Sequence, residues 1–154
     1  MENGKKFNVR VRLIIIKENK VLLHYTENGG FYFYTGGHVE FGETIVQAAV
    51  REVLEETGAI FEFKKILYVR DFFDPSGKEH SVEFYILGDI DKYEELEGLI
   101  DPEGKIKGWK SWQNWIDLEK LKETNVKPKS LTDILISDFE KGFSEGTKYL
   151  GVID

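Results

Sequence analysis

Residues 35–60 read TGGHVEFGETIVQAAVREVLEETGAI and contain the spaced set Gly37-x5-Glu43-x7-Arg51-Glu52-Val53-x-Glu55-Glu56-x-Gly58. Glu52, Glu55 and Glu56 stand at i, i+3 and i+4, so a helix here sets three carboxylates side by side on one face. Like charges so placed repel by about 0.2–0.5 kcal/mol per pair on an isolated helix. A divalent cation offsets that repulsion, and carboxylates are the hard oxygen ligands that Mg²⁺ or Mn²⁺ accepts. An E-x-x-E-E face taken alone is ordinarily a solvated acidic surface. Here seven positions are fixed together. At the roughly 7% usage of a common residue, their joint chance occurrence is on the order of 10⁻⁸ per starting position.

The same stretch specifies its own local structure. Gly36-Gly37 permits a backbone turn that few side chains allow. The spacing predicts a helix from about Thr44 to Thr57, with Val46, Ala49, Val50, Val53 and Leu54 as its buried stripe. Glu43 lies at the helix start, where the dipole favours an anion, and Gly58 suits a left-handed stop. The result is a helix with an apolar back and an acidic front.

Working outward, residues 8–16 and 21–26 read as two strands joined by a tight turn at Lys17-Glu18-Asn19-Lys20, since Val9, Val11 and Leu13 alternate with Arg10 and Arg12. Asn28-Gly29-Gly30 breaks the chain before a short aromatic strand, 31–34. Two long strands, 60–73 and 80–90, flank the turn Asp74-Pro75-Ser76-Gly77. An acidic loop, 91–110, carries Glu94, Glu95, Glu97, Asp101 and Glu103; a short strand at 112–116 and helical residues 117–123 follow. A second amphipathic helix spans about 131–143. Strands and helices interleave without regular βαβ alternation, the pattern of an α/β chain with a mixed sheet between helices.

Composition agrees with one domain over residues 1–154. At 41% hydrophobic residues, with three prolines, no low-complexity run and no internal repeat, the chain has a core's worth of apolar material and no linker. The longest aliphatic run near the N-terminus, 13–16, is too short for a signal segment or a membrane span. No cysteine is present, which excludes disulfides, zinc–thiolate sites and thiol catalysis and fits a cytoplasmic location. A net charge of −7 argues against a broad electrostatic footprint for a nucleic-acid polymer. A small phosphorylated ligand remains compatible with it, because a bound metal supplies local positive charge. The 14% aromatic content leaves material for a homodimer interface.

At residues 37–59 the chain resembles the Nudix hydrolase family, whose signature is GX5EX7REUXEEXGU with U a bulky aliphatic residue. Every fixed position matches; Val53 fills the first U, and Ala59, followed by Ile60, stands at the last. Trp115-Ile116-Asp117-Leu118 resembles the family's W-[VI]-x-L start of a helix, and a weaker likeness of order and spacing extends over about 8–125. The resemblance implies an α/β/α sandwich with a mixed central sheet and metal-dependent hydrolysis of a diphosphate linkage. It implies that Glu52, Glu55 and Glu56, with the carbonyl of Gly36, hold Mg²⁺ or Mn²⁺. It implies that Arg51 orients Glu52, and that Glu43 braces the loop through Arg51. The general base is Glu52 or a glutamate of the downstream loop, Glu97 or Glu103. His24, His38 and His80 read as ordinary packed or exposed residues, and Trp109, Trp112 and Trp115 as packing, with a nucleobase-stacking surface as the alternative. Thr35 stands where the family usually has proline, which is expected to loosen the start of the loop. Pro75, 16 positions after Ala59 in Asp74-Pro75-Ser76-Gly77, resembles the segment of ADP-ribose-type members, although any hairpin turn contains such residues. Gly37 to Glu43 also resembles the box of triphosphate-cleaning relatives, and some domains of this fold bind nucleotides without hydrolysing them. An ADP-ribose-like small nucleotide is the leading expectation.

Overall fold

The protein is described as a computed structural model covering residues 4–102 and 108–154. Its first sheet has the order β10–β6–β7–β1–β5, built from β1 (Lys6–Ile14), β5 (Gly36–His38), β6 (Phe61–Phe73), β7 (Glu79–Ile90) and β10 (Lys148–Val152). β1 runs parallel to β7 and β10 parallel to β6, whereas β6 with β7 and β1 with β5 are antiparallel. A second sheet follows the order β2–β3–β4–β9, from β2 (Ile16–Lys17), β3 (Lys20–Thr26), β4 (Phe31–Phe33) and β9 (Val126–Lys127). β8 (Ser111–Asp117) lies along the whole of β3, from Lys20↔Asp117 to Thr26↔Ser111. The element order also includes the helices α1 (Ile45–Thr57) and α2 (Leu131–Glu140).

The first sheet is mixed and covered on both faces, as the α/β/α expectation requires. Alternation along β1 divides the two cores. Val11 and Leu13 pack with Ala48, Ala49 and Val53 of α1, while Ile14 packs with Tyr68, Tyr85 and with Leu131 and Leu135 of α2. The expected single strand 8–16 is broken at Ile15, where Leu13, Ile14 and Ile15 are all buried and the chain leaves one sheet to join the other. Glu18 and Asn19 close the β2–β3 hairpin with φ of 50° and 62°, the mirror-image turn that matches strand twist. Residues 118–123 form a 3-10 turn, and β9 and β10 are strands the sequence pattern does not announce.

α1 begins at a capping box, in which Thr44 accepts from Gln47 N and Gln47 Oε1 accepts from Thr44 N. It ends at Gly58, whose φ is 74° and whose N–H donates to the Leu54 carbonyl. Its buried row is Ala48, Ala49, Val53 and Thr57, with Ile45 against the core. Val50 and Leu54, expected in that row, are exposed at 37% and 49%. They lie one residue, about 100°, round the helix from Ala49 and Val53, and the sheet meets α1 along the row of small residues. Among the described residues no helix is long and apolar enough to cross a membrane.

Truncating Leu135, fully buried between α2 and the sheet, is expected to lower unfolding free energy by about 2–5 kcal/mol. Leu54→Ala is expected to change it by less than about 0.5 kcal/mol. Urea titrations of both variants check this; equal losses would return Leu54 to the core.

Candidate active site

Glu52, Glu55 and Glu56 lie on the last turns of α1, with Glu52 against β5, and β5 lies against β1 because its first two residues are glycines. A Cβ on Gly36 would sit 1.9 Å from the Val11 carbonyl oxygen, and one on Gly37 would sit 2.5 Å from Glu52 Oε1. The first glycine therefore lets the strands approach, and the second lets the helix carboxylate rest on the turn. Val39 N and Leu13 N complete the attachment, donating to the carbonyls of Val9 (2.8 Å) and Thr35 (2.7 Å).

Arg51 ties this corner together. Its Nε and Nη2 grip Glu43 Oε2 and Oε1 at 2.7 and 2.9 Å, a bidentate pair. Nη2 also donates to the His38 carbonyl at 3.0 Å, and Nη1 to Glu52 Oε1 at 3.1 Å and Glu55 Oε2 at 3.3 Å. Glu43 in turn accepts from Glu40 N at 3.0 Å. These bonds, the Arg51 pair first, hold the Glu43 carboxyl at a pKa of about 2. The other two half-buried carboxylates move the opposite way. Burial raises Glu52, against the opposing Arg51 bond, and raises Glu56 well above the usual range, with Glu52 adding repulsion. Glu55 is exposed at the outer end of the stripe.

Among the described residues no three acidic or imidazole groups already converge as an ion cage; Arg51 Nη1 stands between Glu52 and Glu55 instead. The donor set nonetheless fits a hard divalent cation. Every group is an oxygen, and Glu56 Oε2 is buried with no hydrogen-bond partner among the described residues. A buried carboxylate oxygen without a partner is costly unless a cation or a proton answers it.

The chain matches the NUDIX domain profile over residues 6–134. The chain belongs to the Nudix family. An ADP-ribose pyrophosphatase from Methanocaldococcus jannaschii is 39% identical over 85 residues, 53% of this chain and 50% of that protein. An NAD-capped RNA hydrolase (NudC) from Salmonella paratyphi B is 31% identical over 109 residues, 70% of this chain and 39% of that one. The chain thus spans about half or less of the length of these curated relatives. A solved Nudix hydrolase from Nitrosomonas europaea superposes with a TM-score of 0.67 at 26% identity, covering 89% of this chain and 90% of the other.

Other Nudix site expectations fall in different places. Glu97 follows a 3-10 turn and is bonded to β8, accepting from Asn114 Nδ2 at 2.7 Å and Trp115 N at 2.8 Å. Glu103 lies outside the described residues. Thr35, expected to loosen the loop, fastens it instead. It is fully buried, and its hydroxyl donates to Gln113 Oε1 at 2.9 Å. Gln113 Nε2 lies 3.2 Å from His24 Nδ1, and His24 Nε2 pairs with Ser111. His24 is packed, stacked on Phe33, and burial pushes its pKa down to about 4 against the pull of Asp101. His80 pairs with Asp71 at 2.7 Å and His38 is exposed. Trp115 is in the core, its indole N–H donating to the Tyr93 carbonyl. In this polar chain behind the loop His24 and Gln113 face each other across β3 and β8, a pairing that neither strand's own sequence marks. A cavity of about 680 Å³ lies between Asp117, Leu118, Ile136 and Phe139 and is lined by no box residue.

Because the Glu43 pKa is depressed in the fold, from an ordinary 4.5 to about 2, its contribution to stability is whole above about pH 4.5 and lost as pH falls toward 2. The stability excess of the wild type over Glu43→Gln, measured by denaturant titration in EDTA, is expected to shrink across that window. A difference independent of pH would mean that Arg51 does not bind the Glu43 carboxylate.

Proposed function

We propose that the chain is a divalent-metal-dependent hydrolase of diphosphate linkages, acting on an ADP-ribose-like derivative of a nucleoside diphosphate in the cytoplasm. The observation that carries this reading is the stripe of Glu52, Glu55 and Glu56 held at the glycine turn by Arg51. These three side chains and the Gly36 carbonyl would hold the cation, Mg²⁺ or Mn²⁺. When bound, such an ion neutralises phosphate oxygens and lowers the pKa of a coordinated water.

The remaining work belongs to the protein's own groups. Glu52 is the general base: Arg51 engages its Oε1 and leaves Oε2 to accept a proton from the attacking water. Glu97 is the weaker candidate, since both of its oxygens already accept hydrogen bonds from β8. Glu43 fixes the arginine, and the arginine fixes Glu52, so the base meets the substrate in one orientation.

The curated relatives are named for ADP-ribose and for an NAD cap, and both of those groups join adenosine to a second ribose through a diphosphate. The Asp74–Gly77 turn is a rigid one: Asp74 accepts from Ser76 N at 3.0 Å, and Gly77 N donates to the Asp74 carbonyl at 2.8 Å. It ends next to Glu79, which pairs with Arg10 on β1, the strand hydrogen-bonded to the box turn. A chain of net charge −7 favours a small nucleotide over an RNA backbone. Nucleoside triphosphates form the alternative substrate class, and a non-catalytic nucleotide-binding role is the reading outside enzymology.

A panel of ADP-ribose, NAD and deoxynucleoside triphosphates with Mg²⁺, products separated by chromatography, tests the reading. ADP-ribose is expected to give AMP and ribose phosphate at the highest kcat/KM, with no turnover in excess EDTA. Glu56→Gln is expected to lower kcat by at least about a hundredfold. A preference for triphosphates would select the alternative substrate, and binding without turnover would make the domain non-catalytic.

A further inference from the structure

Arg10 and Arg12 stand at i and i+2 of β1, on the sheet face away from α1, paired with His38 and Gly36 of the box turn. Arg12 is 15% exposed in its side chain and Arg10 is 20% exposed. Among the described residues Arg12 makes one hydrogen bond, from Nη1 to the Tyr34 carbonyl at 3.2 Å, although a guanidinium carries five donors. Its Nε lies 3.5 Å from Glu83 Oε2, and its Cζ lies 5.7 Å from the Phe33 ring centroid. Arg10 pairs with Glu79 and leaves its Nε buried without a partner among the described residues. Behind them Glu83, 2% exposed, is shared with Arg70 Nε at 2.8 Å and the Tyr85 hydroxyl at 3.1 Å. Arg70 Nη1 donates to the Ile153 carbonyl at 2.8 Å, so the C-terminal segment helps hold Arg70 and Glu83 in place. Three arginines share this face with two glutamates, Glu79 and Glu83, and the two nearest the box turn keep donors unspent.

A surplus of guanidinium donors on part-buried side chains calls for an anion, and Arg12 stands in register with Gly36, next to the Gly37 on which the Glu52 carboxylate rests. We propose that Arg12, assisted by Arg10 and positioned by Glu83, forms a phosphate subsite that grips the diphosphate of the substrate beside the carboxylate stripe. Its planar fork suits phosphate oxygens, and Phe33 provides an apolar wall on one side of the guanidinium. Glu83 and the Tyr34 carbonyl set the angle of the fork. The cation at the stripe and the arginine would then share the negative oxygens between them. The proposal rests on the diphosphate reading given above, but it concerns binding, so it can be tested apart from turnover.

The probe is α,β-methylene ADP, whose bridging CH₂ prevents hydrolysis at the diphosphate, titrated calorimetrically into the full chain with Mg²⁺, with adenosine as the phosphate-free control. Wild type is expected to bind the diphosphate. Arg12→Gln is expected to weaken it by about ten- to a hundredfold, the loss of a charge-assisted bond, and Arg10→Gln by less. Arg12→Lys, which keeps the charge and loses the fork, is expected to fall between wild type and Arg12→Gln. Adenosine affinity is expected not to change in any variant. Thermal melts identify a variant that fails to fold, in which case Arg12→Lys and Arg10→Gln decide. A wild type that does not bind the probe, variants within about twofold of wild type, or parallel losses for adenosine would overturn the subsite. Diphosphate binding that needs Arg12 in a chain without hydrolytic activity would keep the subsite and remove the enzyme reading. Turnover of ADP-ribose with full probe affinity in Arg12→Gln would do the reverse.

Discussion

The guanidinium of Arg51 bonds at once to Glu43, Glu52, Glu55 and the His38 carbonyl, and the geometry of the box follows from that. Helix α1 carries the carboxylates, but a helix alone would leave them repelling one another at its surface. One cation at the helix front draws two of them together and binds the helix to the loop that precedes it. Bidentate contact with Glu43 fixes the plane of the guanidinium, and that plane fixes Glu52. Lysine could supply the charge at this position but not the fork.

Around this clamp the fold supplies rigidity. Two glycines let β5 touch β1 and let Glu52 lie on the turn. Thr35 fastens the start of the same turn through Gln113 and His24 to the second sheet, replacing a stiff residue with a hydrogen-bonded one. Ala48, Ala49 and Val53 hold the back of α1 against the first sheet, so the helix cannot roll and carry its carboxylates away. Packing thus sets helix position, polar contacts set side-chain angle, and burial then raises the proton affinity of Glu52 and Glu56.

What was legible in the sequence was what is coded locally. Helix α1, its stop at Gly58, the β2–β3 hairpin turn and the long β6–β7 hairpin are each written in residues a few positions apart, and the structure agrees to within a residue or two. Arg51 meets Glu52 and Glu55 because a helix makes neighbours of residues one turn apart. Pairings between distant segments were not legible. The parallel contacts of β1 with β7 and of β6 with β10 are set by the register of whole sheets, and nothing in Lys148–Val152 marks it as a strand of that sheet. Val50 and Leu54 read as core because apolarity alone cannot choose between adjacent rows of a helix when both contain aliphatic residues. Arg12 read only as the polar half of an alternating strand, since its partner Glu83 lies 71 positions away, as the pairing of the two residues shows.

The proposed divalent-cation site on the stripe of α1 is distinguished from a solvated acidic face by whether it takes up an ion. The most direct measurement is titration of Mn²⁺ into the metal-free protein, following the free aquo-ion by electron paramagnetic resonance. Binding by the wild type is expected, and it is expected to weaken at least about tenfold in Glu56→Gln, whose shape is kept and whose ligand charge is gone. A wild type that leaves the Mn²⁺ signal untouched, or a variant that binds as the wild type does, would contradict it.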